Sequence, residues 1–301
     1  MNGISDNLRG ALLMMASMGA FVLNDACMKA LSDELPLVQA VVLRGIATVV
    51  LMVLMMRVLG TARPRLAPRD RWLVGLRNLT EIGTAYFFIT ALYNMPLANA
   101  TSIMQVLPLT VTLAGAVFLG QAVGWRRLIA ILIGLAGVLL IVRPGFAGFN
   151  IYSVYVLIAV AMVTARDILS RKLSVNVPTM SVAFRNAVSV TAAFGLVSIF
   201  TDWQPVSQKA ALQLGAASVF IIGGYFCAVS AMRTGEIAVI APFRYTSLLW
   251  ALVLGLVVFA EWPDAITLIG AAIVVATGVY TFNRERRLRR VAPMPEAREA
   301  R

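Results

Sequence analysis

Ten long apolar stretches, divided by short polar connectors, occupy this chain from Gly10 to Phe282. About 20 apolar residues at 1.5 Å rise per residue cover the hydrocarbon core of a bilayer as a helix. The pattern therefore predicts spans over 10–31, 36–59, 72–95, 98–120, 125–143, 151–172, 178–200, 209–232, 236–260 and 263–282. The predicted fold class is an all-α polytopic membrane protein with ten transmembrane helices.

The connectors differ in charge by turns. One set holds Arg63, Arg65, Arg69 and Arg71, then Arg126 and Arg127, Arg171 and Lys172, Arg233, and the run Arg284 to Arg290. The other set, Ser32–Glu34, Asn94–Pro96, Phe146–Asn150, Thr201–Gln208 and Glu261–Asp264, is nearly free of basic residues. The positive-inside rule then puts both termini in the cytoplasm. Trp72, Trp125, Tyr152, Trp203, Trp262 and Tyr280 fall at span ends, as interfacial aromatics do. Only Arg9 precedes the first span closely and no small-residue cleavage site follows it, so it reads as a span rather than a signal peptide.

Displaced on itself by 140 residues, the chain matches Gly83 with Gly223, Ala91 with Ala231, Ala98 with Ala238, Gly115 with Gly255 and Val117 with Val257. Offsets one or two longer match Gly137-Val138 with Gly278-Val279, Arg44 with Arg185, Asp25 with Asp167 and Lys29 with Arg171. This colinearity predicts two five-helix repeats, residues 1–145 and 146–283, followed by a disordered basic tail, 284–301. Five is odd, so the second repeat is inverted in the membrane, a construction that lets two halves exchange conformations in secondary transporters.

Composition narrows the chemistry. The chain has no histidine, and Cys27 and Cys227 both lie inside apolar stretches, so no metal, cofactor or disulfide framework is expected. With no nucleophile constellation either, an enzyme is not expected. The +12 net charge sits mostly in one set of connectors, which points to anionic headgroups on the cytoplasmic side as partner and not to nucleic acid. No Gly-x4-Gly-Lys-Ser/Thr loop is present to drive work by ATP.

Polar groups at membrane depth need partners or a wet cavity. The chain embeds Asn24, Asp25, Lys29, Arg44, Arg77, Glu81, Gln105, Arg166, Asp167, Arg185 and Arg244, with Tyr225 and Tyr245 beside them. Asp25 and Lys29, four apart, can pair on one helical face. Arg77 and Lys29 lie close enough to span ends to snorkel, and Arg166-Asp167 reads equally as a helix-fastening pair or a solute contact. The candidate solute-binding residues are Asn24, Asp25, Arg44, Glu81, Gln105, Arg185, Tyr225, Arg244 and Tyr245, with Asp25 and Glu81 as proton-coupling candidates. Six embedded cations against three anions suit solutes with carbonyl, carboxylate or phosphate acceptors, or flat rings. Pro108 and Pro242 interrupt the fourth span of each half, a pointer to a binding site in repeat carriers. Spans five and ten are almost wholly apolar, with Gly134, Gly137 and Gly270 for close packing; they read as outer scaffold and as a candidate homodimer contact.

Ala91-Leu92-Tyr93-Asn94-Met95-Pro96-Leu97-Ala98 with Gly137-Val138, and Ala231-Met232-Arg233-Thr234-Gly235-Glu236-Ile237-Ala238 with Ala260-Glu261 and Gly278-Val279, resemble the drug/metabolite transporter superfamily in its EamA-type ten-span branch. Gly120-Gln121 departs from that pattern, where Ala260-Glu261 keeps the acidic residue. The opening Met18–Asp25 with Lys29, and Val38–Gly45, is similar to proteobacterial members that import riboflavin, and more loosely to S-adenosylmethionine carriers. The resemblance implies a bacterial inner-membrane secondary transporter moving a small-molecule solute by alternating access, riboflavin uptake being the narrowest reading; the alternatives are a carrier or exporter of S-adenosylmethionine, an amino acid or another metabolite, and, more remotely, a non-transporting membrane assembly subunit.

Overall fold

The computed structural model describes residues 6–58, 66–120, 124–145, 149–174, 177–234 and 237–291, and it is helical throughout. In chain order the spans are α1 (Asp6–Lys29), α2 (Leu37–Val58), α3 (Pro68–Asn94), α4 (Leu97–Met104 then Leu107–Leu119) and α5 (Trp125–Val142). They continue with α6 (Ile151–Arg171), α7 (Thr179–Ser198), α8 (Gln208–Thr234), α9 (Ile237–Ile240, the 3₁₀ turn Ala241–Tyr245, and Thr246–Phe259) and α10 (Ala265–Val291). Nine of these are long and apolar enough to cross a membrane by composition. The tenth, α3, carries Arg69, Asp70, Arg71, Arg77 and Glu81.

Local chemistry sets the ends. Pro36, Pro96 and Pro178 precede α2, α4 and α7, and Pro68 opens α3, positions where a missing N–H costs nothing. Asn150 caps α6 by accepting from the Tyr152 N–H at 2.9 Å, and Asp264 caps α10 by accepting from the Thr267 N–H at 2.8 Å. The lower halves of α4 and α9 close at Gly120 (φ 65°) and Ala260 (φ 52°), the same left-handed stop at the same place in each repeat. Trp72, Trp125, Trp203 and Trp262 are exposed at helix ends or in connectors.

The helix contacts close a ring of eight: α1 packs on α8, α8 on α2, α2 on α7, α7 on α3, α3 on α6, α6 on α4, α4 on α9, and α9 on α1. The remaining pair, α5 and α10, pack on each other behind α4 and α9. Advancing every label by five maps this ring onto itself: α1 against α8 becomes α6 against α3, while α2–α7, α4–α9 and α5–α10 map onto themselves. Two inverted five-helix repeats thus interlock rather than stand side by side. In the outer pair a Cβ on Gly270 would come within 2.6 Å of the Gly137 carbonyl oxygen, so these backbones touch only because both residues lack side chains.

Two expectations change. Helix α3 begins at Pro68, ahead of the predicted 72, because its first turn tolerates charge in the headgroup region. Helix α10 runs to Val291, so residues 284–291 are helical rather than part of a disordered tail; residues 292–301 lie outside the described set.

Candidate functional site

Inside the ring most of the embedded charges gather in two hydrogen-bonded corners. Asn24 links the first corner: its Nδ2 donates to Asp25 Oδ1 at 2.9 Å and its Oδ1 accepts from Arg44 at 3.2 Å. A second corner gathers on α3, α6 and α7. Arg166 Nη1 donates to Glu81 at 3.2 Å, its Nη2 to Asp167 at 2.9 Å, and Asn186 Nδ2 to Glu81 at 3.2 Å. Arg77 Nε donates to Ser170 Oγ at 3.0 Å. The Tyr225 hydroxyl on α8 stands between the corners, within electrostatic reach of Arg44, Arg77, Glu81 and Arg166. Arg244 on α9 extends the group toward Asp167 and Arg166. Tyr225 is half-exposed, well inside α8.

Close backbone approach makes room for that wall. A Cβ on Gly224 would lie 2.7 Å from the Phe21 ring, and Ser17 Oγ donates to the Gly224 carbonyl at 2.7 Å, so α1 and α8 meet tightly. Phe21 in turn meets Tyr225 edge to face at 5.2 Å.

Several sequence assignments move. Lys29 neither pairs with Asp25 nor snorkels. It is buried, binds Glu261 at 3.1 Å, and donates to the carbonyls of Met95 at 2.7 Å and Leu92 at 3.3 Å. Helix geometry permits the i,i+4 pair, but the carbonyls freed where α3 ends at Pro96 offer a better cradle. Arg77 likewise turns inward instead of to the helix end. Gln105 and Tyr245 are buried, and the Gln105 Nε2 on α4 donates to the Tyr245 carbonyl on α9 at 3.0 Å. The Tyr245 ring leaves the ring interior and packs on Gly278 and Phe282 of α10. Pro108 and Pro242 thus mark where α4 and α9 break and are tied together, and the tie belongs to the scaffold. Arg185 lines a crevice of ≈ 540 Å³ between α3 and α7, with Arg71.

The interior count becomes four cations (Arg44, Arg77, Arg166, Arg244) against three anions (Asp25, Glu81, Asp167), nearer balance than the composition suggested. Sequence reading missed Asn186 and the Lys29–Glu261 tie. A lone amide in the apolar run after Arg185 is the signal for the first; the second joins residues far apart in the chain, from the end of α1 to the connector before α10, which nothing local reveals.

Connectors on the face poor in basic residues are laced together. Glu34 accepts from Ser207 Oγ at 2.6 Å and pairs with Lys209 at 3.1 Å, and these partners hold its carboxyl below the usual range. Asp264, bound by the Thr267 N–H and by Arg143, is held low for the same reason. Among the described residues no group of three His, Cys, Asp or Glu side chains could hold a metal.

A family model described as the EamA-like transporter family matches residues 8–143 and again 150–283. An S-adenosylmethionine uptake transporter of Rickettsia prowazekii is 26% identical over 195 residues, 64% of this chain and 65% of that protein. The chain therefore spans just under two thirds of that relative's length. A pseudopaline exporter of Pseudomonas aeruginosa is 27% identical over 88% of this chain and 93% of its own. A riboflavin transporter of Vibrio cholerae is 24% identical over 89% and 91%. A solved crystal structure with 21% identity and a TM-score of 0.65, covering 93% of this chain and 98% of its own, shares the fold.

Proposed function

We infer that this chain, which belongs to the EamA-like transporter family, carries a small polar metabolite across a bacterial inner membrane by alternating exposure of the charged group inside its helical ring. The supporting observation is convergence: Arg44, Arg77, Glu81 and Asp25 of the first repeat meet Arg166, Asp167, Tyr225 and Arg244 of the second. A scaffold has no use for so many desolvated charges, whereas a solute bearing carboxylate or carbonyl acceptors can exchange places with these guanidinium partners. Near-balanced charge favours a solute with both acceptors and donors over a simple anion. Riboflavin is the narrower reading, and S-adenosylmethionine the second solute to try. Relatives comprise uptake carriers and an exporter, which suits a site whose direction is set by the driving gradient.

The charge difference between the two sets of connectors supports a cytoplasmic location for both termini. Asp25 is the better proton site of the two acids: Glu81 is bound by the Arg166 guanidinium and the Asn186 amide, whereas Asp25 accepts from the neutral Asn24 amide.

Proteoliposome uptake tests the reading. Wild-type protein is expected to accumulate a solute found by thermal-shift screening of a metabolite panel that includes riboflavin and S-adenosylmethionine. Arg44→Ala and Arg244→Ala each remove a charge-assisted contact of about 1.5–3 kcal/mol, so uptake at low solute falls at least about tenfold. Normal uptake in both variants removes the site.

A further inference from the structure

A crevice opens between α3 and α7. On α3 it is lined by Arg71, Val74, Gly75 and Asn78, a face turned roughly a quarter turn from the Arg77–Glu81 face that looks into the ring. On α7 its wall includes Arg185 and Val188. Gly75 and Val188 are exposed, and exposed Leu79 and Leu196 continue the same sides of the two helices, so the mouth opens on the lipid-facing side. Arg71 stands in the first turn of α3, and Arg185 six residues into α7, about 9 Å along the helix. Both therefore stand near the headgroup level of the face where basic connectors gather.

The polar floor is half used. Asn78 Nδ2 donates to Ser189 Oγ at 2.9 Å, while Asn78 Oδ1 is buried without a hydrogen-bond partner among the described residues. Two guanidinium groups, an unmatched acceptor and apolar flanks at one lateral opening are the chemistry of a phosphodiester headgroup bearing hydroxyls.

We propose that this crevice is a specific site for an anionic phospholipid of the phosphatidylglycerol class. The lipid phosphate takes Arg71 and Arg185, a headgroup hydroxyl donates to Asn78 Oδ1, and an acyl chain runs along Val74 and Val188. Bound there, the lipid joins α3 of one repeat to α7 of the other. The site depends on membrane embedding and not on which solute is carried.

The test is the melting temperature of purified protein in neutral detergent, titrated with mixed micelles of dioleoyl-phosphatidylglycerol, dioleoyl-phosphatidylcholine, or with inorganic phosphate. Phosphatidylglycerol is expected to raise the melting temperature saturably, and the other two are not. Arg71→Gln with Arg185→Gln weakens the lipid midpoint about thirtyfold, roughly fivefold per arginine. Gly75→Leu fills the crevice while keeping both arginines, since a Cβ there meets nothing within 4 Å, and it abolishes the shift. Each variant's melt without lipid reports its folding, and Gly75→Leu decides the matter if the double variant does not fold. An unchanged phosphatidylglycerol shift in Gly75→Leu, or an equal shift from phosphatidylcholine or from inorganic phosphate, overturns the proposal.

Discussion

Glu81 and Arg166 show how single residues carry two obligations here. Each is partly buried, and removing one leaves the other short of a partner, which costs about 1.5–3 kcal/mol. Arg166→Met is therefore expected to lower the melting temperature, and Arg166→Met with Glu81→Leu to recover much of it while uptake stays lost. Recovery of uptake together with stability would make the pair structural only. Asp264 gives a pH prediction outside the bilayer. Its carboxyl titrates below the usual value because the folded state binds the charged form, so its contribution is present above about pH 4 and fades as pH falls through the depressed value. Asp264→Ala is expected to cost about 1 kcal/mol at pH 7, and the gap to wild type to close in acid. A gap constant with pH would contradict the ionised cap. The charges themselves were legible, because Arg44, Arg77 and Arg244 stand out in apolar runs. Their partners were not: Lys29 finds Glu261, and Arg77 finds Ser170, across separations that periodicity cannot bridge.

At the scale of elements, the broken helices α4 and α9 are the informative pair. Pro108 and Pro242 announced interruptions, and the structure places them where the two helices cross, with Gln105 Nε2 on the Tyr245 carbonyl. What the sequence could not convey was the direction of the side chains: one turn of 3₁₀ helix at Ala241–Tyr245 rotates the Tyr245 ring toward α10. A Cβ on Gly278 would collide with that ring. Gly278→Ala is expected to destabilise by about 1–3 kcal/mol, and Gly278→Ala with Tyr245→Ala less than the sum of the singles. Additive losses by thermal melting would show that the contact is not made. Helices α5 and α10 were read correctly as apolar scaffold from their glycine and alanine positions, because close helix packing in lipid needs small residues whatever the partner.

For the molecule as a whole, duplication was visible in sequence as colinear glycines and alanines, while interlocking was not. Only contacts show α1 of one repeat against α8 of the other, and a ring that maps onto itself. On the face poor in basic connectors, Lys29–Glu261, Glu34–Lys209 and Arg143–Asp264 tie connectors from different parts of the chain. Glu261→Gln is expected to loosen that face and to raise thiol labelling of interior positions from it; unchanged labelling would mean that the tie does not gate access. Carriage by this molecule requires a wet, charged interior at membrane depth, with Tyr225 at its centre. With Cys27 and Cys227 replaced by serine, a thiol at Tyr225→Cys should react with a hydrophilic methanethiosulfonate reagent, slowed by a transported solute, while one at exposed Val219→Cys on the same helix stays inert. A thiol at 225 as unreactive as that at 219 would contradict the existence of a hydrated interior.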